Sequence, residues 1–145
     1  MKKLLAIILL LMCLPAFAEG TLAAWGSHAL FVNGSGLWAW GSNHMGESNP
    51  ASSETAVAVP VKLMENAVSV ACGRQFSLCL DAEGRALIWG NIPDGLLKGE
   101  SGRADEMKLL AEDIARISAC EERLVIGAPG GKGAEGVRVG LHPGR

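Results

Sequence analysis

The sequence is poor in charged and aromatic residues. Charged residues make up 19% and aromatic residues 5% of its 145 residues, and tyrosine is absent. Thirteen basic and fifteen acidic side chains give a net charge of −2, so no cationic excess is available to neutralise phosphates. We therefore expect no nucleic-acid partner. The length corresponds to one domain at most.

Long apolar runs are also missing, except at the N-terminus. There, two lysines precede an apolar run at residues 4–14, and the small-x-small triplet 16–18 follows. This order is typical of a secretory signal peptide, and the run is shorter than the roughly 20 residues of a membrane-spanning helix. We predict a signal peptide at residues 1–18, cleavage after Ala18, and a secreted or periplasmic product with no membrane span. Loss of the two lysines takes the net charge from −2 to −4.

Cysteine is scarce as well. Outside the predicted signal peptide only Cys72, Cys79 and Cys120 remain, and this odd number excludes a dense disulfide framework. Two arrangements are open: one disulfide with one free thiol, or three reduced, buried cysteines. We favour the second, because reduced cysteine packs as a small apolar residue.

An internal repeat of about 48 residues dominates the rest of the chain. Residues 26–41 align with residues 73–90, and a weaker copy relates residues 61–72 to residues 108–119. The matching landmarks are two turn glycines and two Trp-Gly pairs: Gly36 with Gly84, and Trp40-Gly41 with Trp89-Gly90. We interpret these six as structural repeat positions. Units of 40–50 residues built of short strands predict an all-β fold of four-stranded propeller blades.

The residue pattern of each copy predicts a hairpin with apolar or small residues on both faces. Leu78 and Leu80 fall on one face of a strand, and Ser77 and Cys79 fall on the other. Such strands must be covered on both faces, as in a sheet stacked between two neighbouring sheets. Turn residues at 33–36 and 81–84 separate the strands.

The same residues resemble the regulator of chromosome condensation repeat. Its pattern is a glycine, a His-Ser-Leu-like strand, an Asp-Gly turn, a strand ending in Trp-Gly, and an Asn-x-x-Gly loop. Residues 71–95 carry most of this pattern, and residues 40–46 carry its last two elements. The resemblance implies a β-propeller, seven-bladed in the family, whose end loops bind protein partners. It also implies that His28, at the position of the family histidine, makes a structural hydrogen bond.

The repeat divides the chain into too few units for a closed ring. We expect propeller-type repeats over residues 19–126, with units at about 24–48 and 60–97 and a degraded unit at 107–126. A glycine-rich tail follows at 127–145. Two to three blades leave apolar faces at both ends. Three explanations are open: a truncated piece of a longer propeller, which we favour, a homo-oligomer that completes the ring, or a capping exported partner.

The polar loop at residues 42–59 is the best candidate for a partner-facing surface. Within it we assign the partner contacts to Asn43, His44, Met45 and Glu47. The partner is a protein of unknown identity.

No catalytic, cofactor or metal site emerges from the sequence. The serines lack the G-x-S-x-G spacing of a nucleophile elbow, the histidines are scattered, and the cysteine spacing is not that of a zinc site. We predict an exported, non-catalytic protein-interaction scaffold. The alternatives are an exported propeller enzyme, such as a lyase or glycan-processing protein, and a carbohydrate-binding oligomer that uses Trp25 or Trp38.

Overall fold

The computed structural model describes residues 21–130 and the backbone of residues 137–140. The predicted signal peptide and most of the predicted tail lie outside the described residues. Among the described residues no helix is long and apolar enough to cross a membrane. The fold is all-β, as predicted.

Over the described residues, twelve strands form three antiparallel sheets, which we call blades 1 to 3. Blade 1, residues 21–64, has the order β1 (Thr21–Trp25), β2 (His28–Asn33), β3 (Gly36–Ser42), β4 (Ala56–Met64). Blade 2, residues 67–111, contains β5 (Ala67–Gly73), β6 (Phe76–Asp81) and β7 (Ala86–Leu97), and β7 also pairs with β8 (Glu100–Arg103) and β9 (Lys108–Ala111). Blade 3, residues 116–140, consists of β10 (Arg116–Cys120), β11 (Arg123–Gly127) and β12 (Val137–Gly140).

The predicted tight turns join the central strands of blades 1 and 2. In the turn between β6 and β7, the buried carboxylate of Asp81 accepts backbone hydrogen bonds from Glu83 (3.0 Å) and Arg85 (2.9 Å). Gly84 in this turn has a φ of 79°, which favours glycine. In blade 1 the carboxamide oxygen of Asn33 accepts a hydrogen bond from the backbone of Ser35 at 2.9 Å. Side-chain acceptors therefore fix both turns.

Within the described part of the chain, the core consists of two layers, each between successive blades. The first layer packs blade 1 against blade 2 and contains Leu30, Val32, Leu37, Ala39, Ala67, Cys72, Cys79 and Trp89. The second packs blade 2 against blade 3 and contains Ala71, Phe76, Leu78, Ala86, Ile88, Ile92, Ala104, Leu124 and Ile126. Every residue of β6 is buried. The sequence prediction that this strand is covered on both faces is confirmed.

The strands are grouped differently from the predicted repeat units. Residues 60–64, which we expected to open the second unit, are the end of β4 and belong to blade 1. Residues 108–111, expected in the third unit, form β9, which pairs with β7 of blade 2. Residues 137–140, expected in the tail, pair with β11. A sequence period does not show which neighbouring strand each of these segments will pair with.

The three cysteines differ in environment. Cys72 and Cys79 are buried, Cys120 is exposed, and none of them forms a disulfide. The prediction of three buried cysteines is therefore wrong for Cys120, because the alternation of β10 turns Ala119 toward blade 2 and Cys120 away from it. Burial raises the pKa of both Cys72 and Cys79 to about 12. These two thiols stay protonated at neutral pH.

Candidate interaction surface

The two Trp-Gly pairs lie at the same end of blades 1 and 2, in the equivalent strands β3 and β7. Gly41 has a φ of 105° and Gly90 a φ of 92°. A Cβ atom on either glycine would collide with the backbone carbonyl of the preceding hairpin, Ser27 for Gly41 and Gln75 for Gly90. That carbonyl instead accepts a hydrogen bond from the residue after the glycine, at 2.8 Å in blade 1 and 2.7 Å in blade 2. The backbone therefore turns in the same way after both pairs, although β3 ends at Ser42 and β7 continues to Leu97.

The two tryptophans differ in burial. Trp89 is fully buried between blades 1 and 2. Trp40 is half-buried, since among the described residues no blade lies on its side of blade 1.

The blade 1 loop, residues 43–55, is closed by the side chain of Asn43. This side chain is fully buried. Its amide nitrogen donates to the backbone carbonyls of Asn49 (3.1 Å) and Glu54 (2.9 Å). Its amide oxygen accepts from the backbone N–H groups of Ser48 (3.1 Å) and Asn49 (2.7 Å). Asn43 therefore holds both sides of the loop together.

Glu47 stabilises the same loop from inside. It is 1% exposed, and its carboxylate accepts hydrogen bonds from the Ser42 hydroxyl and the Met45 backbone N–H, both at 2.8 Å. Its backbone carbonyl accepts a hydrogen bond from the Ser77 hydroxyl of blade 2 at 2.7 Å. A buried carboxylate needs such donors, since it has lost those of water.

The structure thus separates the four residues that the sequence assigned to partner contacts. Asn43 and Glu47 face the interior and are removed from the candidate surface, because polar side chains in a loop can bind the loop's own backbone instead of a partner. His44 is exposed and Met45 is half-buried. A role in binding stays a prediction for these two.

Blade 2 supplies a second loop, which sequence analysis missed. β7 continues past Gly90, turns at residues 98–99 and returns as β8, giving the blade 2 hairpin, residues 91–103. At its end, the Arg103 guanidinium donates to the carbonyls of Asn43 (3.2 Å), His44 (3.1 Å) and Ser52 (2.6 Å). Arg103 therefore joins both loops into one surface, residues 43–55 and 91–103, which we call the loop surface.

A polar cleft of about 480 Å³ lies beside the blade 2 hairpin. The Lys108 ammonium lies 2.9 Å from the carboxylate of Glu106 and 3.4 Å from that of Glu100. The hydrogen bond from Lys108 lowers the pKa of Glu106, and the same bond raises the pKa of Lys108. Ion pairs so open to solvent contribute little to stability.

His28 and Ser77 connect blades 1 and 2 below the loop surface. The His28 Nε2 atom lies 3.0 Å from the Ser77 Oγ atom, which confirms the predicted structural hydrogen bond. Because the Ser77 hydroxyl donates to the Glu47 carbonyl, the histidine N–H must donate to Ser77. The histidine therefore does not act as a base toward this serine, and the arrangement is a bridge between blades. Burial lowers the pKa of His28, and the charge of Glu47 partly offsets this effect.

In the part of the chain that the structure describes, potential metal ligands do not form a cluster. Over residues 21–130 and 137–140, no three His, Cys, Asp or Glu residues lie close enough together to hold a metal ion.

The family model of the regulator of chromosome condensation (RCC1) repeat matches residues 67–91, from the start of β5 to just past the second Trp-Gly pair. The chain carries an RCC1 repeat. The resemblance inferred from the repeat pattern is therefore confirmed. No curated protein sequence matches the chain.

Several solved structures share this fold. Human WBSCR16 is 18% identical with a TM-score of 0.61, and the match covers 74% of this chain and 31% of that protein. Prp20p from Saccharomyces cerevisiae is 21% identical with a TM-score of 0.61, over 76% of this chain and 31% of that one. Yeast RCC1 (Prp20) in complex with Kap60 is 22% identical with a TM-score of 0.59, over 74% and 29%. The chain thus spans about a third of the length of these proteins.

Proposed function

We propose that the chain is an exported, non-catalytic scaffold that binds a protein partner through the loop surface. The observation that carries this proposal is the clamp of Arg103, which fixes loops from two blades against each other through three hydrogen bonds. A surface that is already ordered loses less conformational entropy on binding than two free loops do.

The exposed side chains of the loop surface suit a polar, reversible protein interface. The uncharged ones are His44, Ala51, Ser53, Thr55 and Ser101. The charged ones carry both signs, acidic at Glu54, Asp94 and Glu100 and basic at Lys98. Interface rims of transient complexes have this mixed polar character. The solved structure of yeast RCC1 contains a protein partner, Kap60, and the structure of Prp20p is described with its binding to Gsp1p and histones. These cases support a protein as the partner.

Export rests on the N-terminal sequence. Its test is N-terminal sequencing of the chain recovered from the periplasm or culture fluid of an expressing bacterium. We expect the mature chain to begin at Glu19. A chain that stays in the cytoplasm with Met1 intact would contradict export.

The binding proposal is tested by photo-crosslinking the purified chain in the extracellular fraction of its host. We expect a specific crosslinked band that is lost in the double variant His44→Glu, Lys98→Glu and weakened in Arg103→Met. The matched control is Glu112→Lys, since Glu112 is exposed in the loop between blades 2 and 3, beside the turn at Gly84 and opposite the loop surface. A band equally strong in the double variant and the control would refute the loop surface as the binding site.

A further inference from the structure

One face of blade 1 is built as a contact between blades but has no blade against it among the described residues. This outer face of blade 1 consists of Leu22, Ala24, Phe31, Trp38 and Trp40. At the repeat offset of 48 to 49 residues, their equivalents in blade 2 are Val70, Cys72, Cys79, Leu87 and Trp89. All five equivalents belong to the layer that packs blade 2 against blade 1.

The outer face of blade 1 is correspondingly apolar and open. Leu22 is 67% exposed, and Val59 at the edge of the same sheet is 72% exposed. Phe31, Trp38 and Trp40 are only half-buried. At its rim, Lys62 lies beside Trp38, and its ammonium pairs with the Glu65 carboxylate at 3.2 Å. Contiguous exposed apolar patches of this kind mark interaction sites.

The opposite end of the stack is polar. In β11, Leu124 and Ile126 are buried toward blade 2, so Arg123 and Val125 point away from it. On the adjacent β10, Arg116, Ser118 and Cys120 are likewise exposed. The described side chains of β10 and β11 on the outer face of blade 3 are therefore mainly charged or polar.

We propose that two copies of this chain pair through the outer face of blade 1 about a two-fold axis. A surface that meets its own copy must be free of unpaired charge, because each charge would approach its like across the axis. The outer face of blade 1 meets this condition. A head-to-tail contact would instead place Arg116 and Arg123 of one copy under the apolar face of the other, where their charges would lose water without a counterion.

The size of the face makes this a weak, concentration-dependent dimer. Four strands spaced about 4.8 Å apart, with about six residues each at about 3.3 Å, give a face of roughly 19 by 20 Å, or about 400 Å² per copy. A standard stable complex buries about 800 Å² per partner. We therefore expect association to appear only as the protein concentration rises.

The test is sedimentation velocity of the purified chain over a range from low to high micromolar concentration. We expect the mean mass to rise toward twice that of the chain, and to stay at one chain for Leu22→Glu at every concentration. The matched control Val125→Glu places the same charge on the outer face of blade 3, where 44% of the valine is exposed, and should dimerise like the native chain. Far-ultraviolet circular dichroism establishes that both variants are folded.

Cys120 supplies a second readout in the unaltered chain. It lies on the outer face of blade 3, so a two-fold dimer leaves its thiol open, whereas a head-to-tail contact covers it. We expect the rate of maleimide labelling at Cys120 to be the same in monomer and dimer. Three results would each overturn the proposal. They are slower labelling of Cys120 in the associated state, dimerisation of the Leu22→Glu variant, and a native chain that stays monomeric at every concentration. Partner crosslinking by Leu22→Glu should be unchanged, which separates this inference from the loop surface.

Discussion

Replacing Trp89 by alanine should cost about 3–5 kcal/mol of the free energy of unfolding. Trp89 is fully buried in the layer between blades 1 and 2. An indole buries roughly 150–250 Å², which corresponds to about 4–6 kcal/mol at about 25 cal/mol per Å². That figure is an upper bound, since the alanine still buries part of the surface and the unfolded chain is not fully extended. A loss of this size is a large part of the stability of a small domain.

Trp40 provides the matched comparison, because it occupies the same repeat position. It is half-buried on the outer face of blade 1, so its removal exposes less new surface and leaves an open depression instead of a cavity. We expect about 1–2 kcal/mol for Trp40→Ala in the monomer. The difference between the two variants should therefore report the packing of blade 2 against blade 1.

A third variant separates ring packing from the polar atom of the indole. The Trp89 Nε1 atom is buried and has no hydrogen-bond partner among the described residues. Trp89→Phe keeps an aromatic ring and removes this unpaired donor, so it should cost clearly less than Trp89→Ala. Urea unfolding followed by circular dichroism measures all three variants without relying on tryptophan emission. A loss below about 1 kcal/mol for Trp89→Ala, or one no larger than that for Trp40→Ala, would refute the assignment of Trp89 to the core.

Three further predictions concern the loop, the Trp-Gly turn and the bridge between blades. Asn43→Ala should lower the free energy of unfolding by about 2–3 kcal/mol, because it leaves buried backbone groups without partners. His44→Ala should change it by no more than about 0.5 kcal/mol, and thermal unfolding compares the two variants. Gly90→Ala should lower the melting temperature far more than Gly95→Ala. Both glycines have positive φ, but of the two only Gly90 has backbone atoms where the new Cβ would lie. Equal losses of melting temperature would contradict this explanation. In the folded chain the pKa of His28 lies below 6.5, the value expected in the unfolded chain. As the pH falls through 6.5, the unfolded chain therefore binds a proton at His28 before the folded chain does. Stability should therefore increase as the pH rises through this range, and His28→Gln should flatten the dependence measured by urea unfolding at several pH values.

The repeat made the blade architecture predictable, because the Trp-Gly pairs and turn glycines recur in register. Assignment of strands to blades was not predictable in the same way. β4 follows the loop at residues 43–55 and β9 follows the blade 2 hairpin, and their pairing with β3 and β7 depends on contacts across the sheet. A sequence period gives the spacing of elements but not their hydrogen-bonding neighbours.

Of the loop surface, the blade 1 loop was predictable as a region but not residue by residue, and the blade 2 hairpin was not predicted. Asn43 and Glu47 are polar residues in a polar loop, and nothing in the sequence distinguishes a solvated side chain from one that binds the loop's own backbone. Arg103 belongs to no motif, and its partner carbonyls lie between 51 and 60 residues earlier in the chain. Such a contact exists only after two blades have packed together.

The partners of Arg103 are all backbone carbonyl oxygen atoms. Asn43 likewise binds only backbone groups around the loop, donating to carbonyl oxygens and accepting from N–H groups. Neither residue reads the identity of a side chain at the positions it contacts. The loop's outward side chains are therefore free to vary while its shape is kept, much as the hypervariable positions of an antibody vary on a constant framework. A library that randomises the exposed positions 44, 51 and 53–55 and retains Asn43, Glu47 and Arg103 should therefore yield folded proteins with new binding preferences.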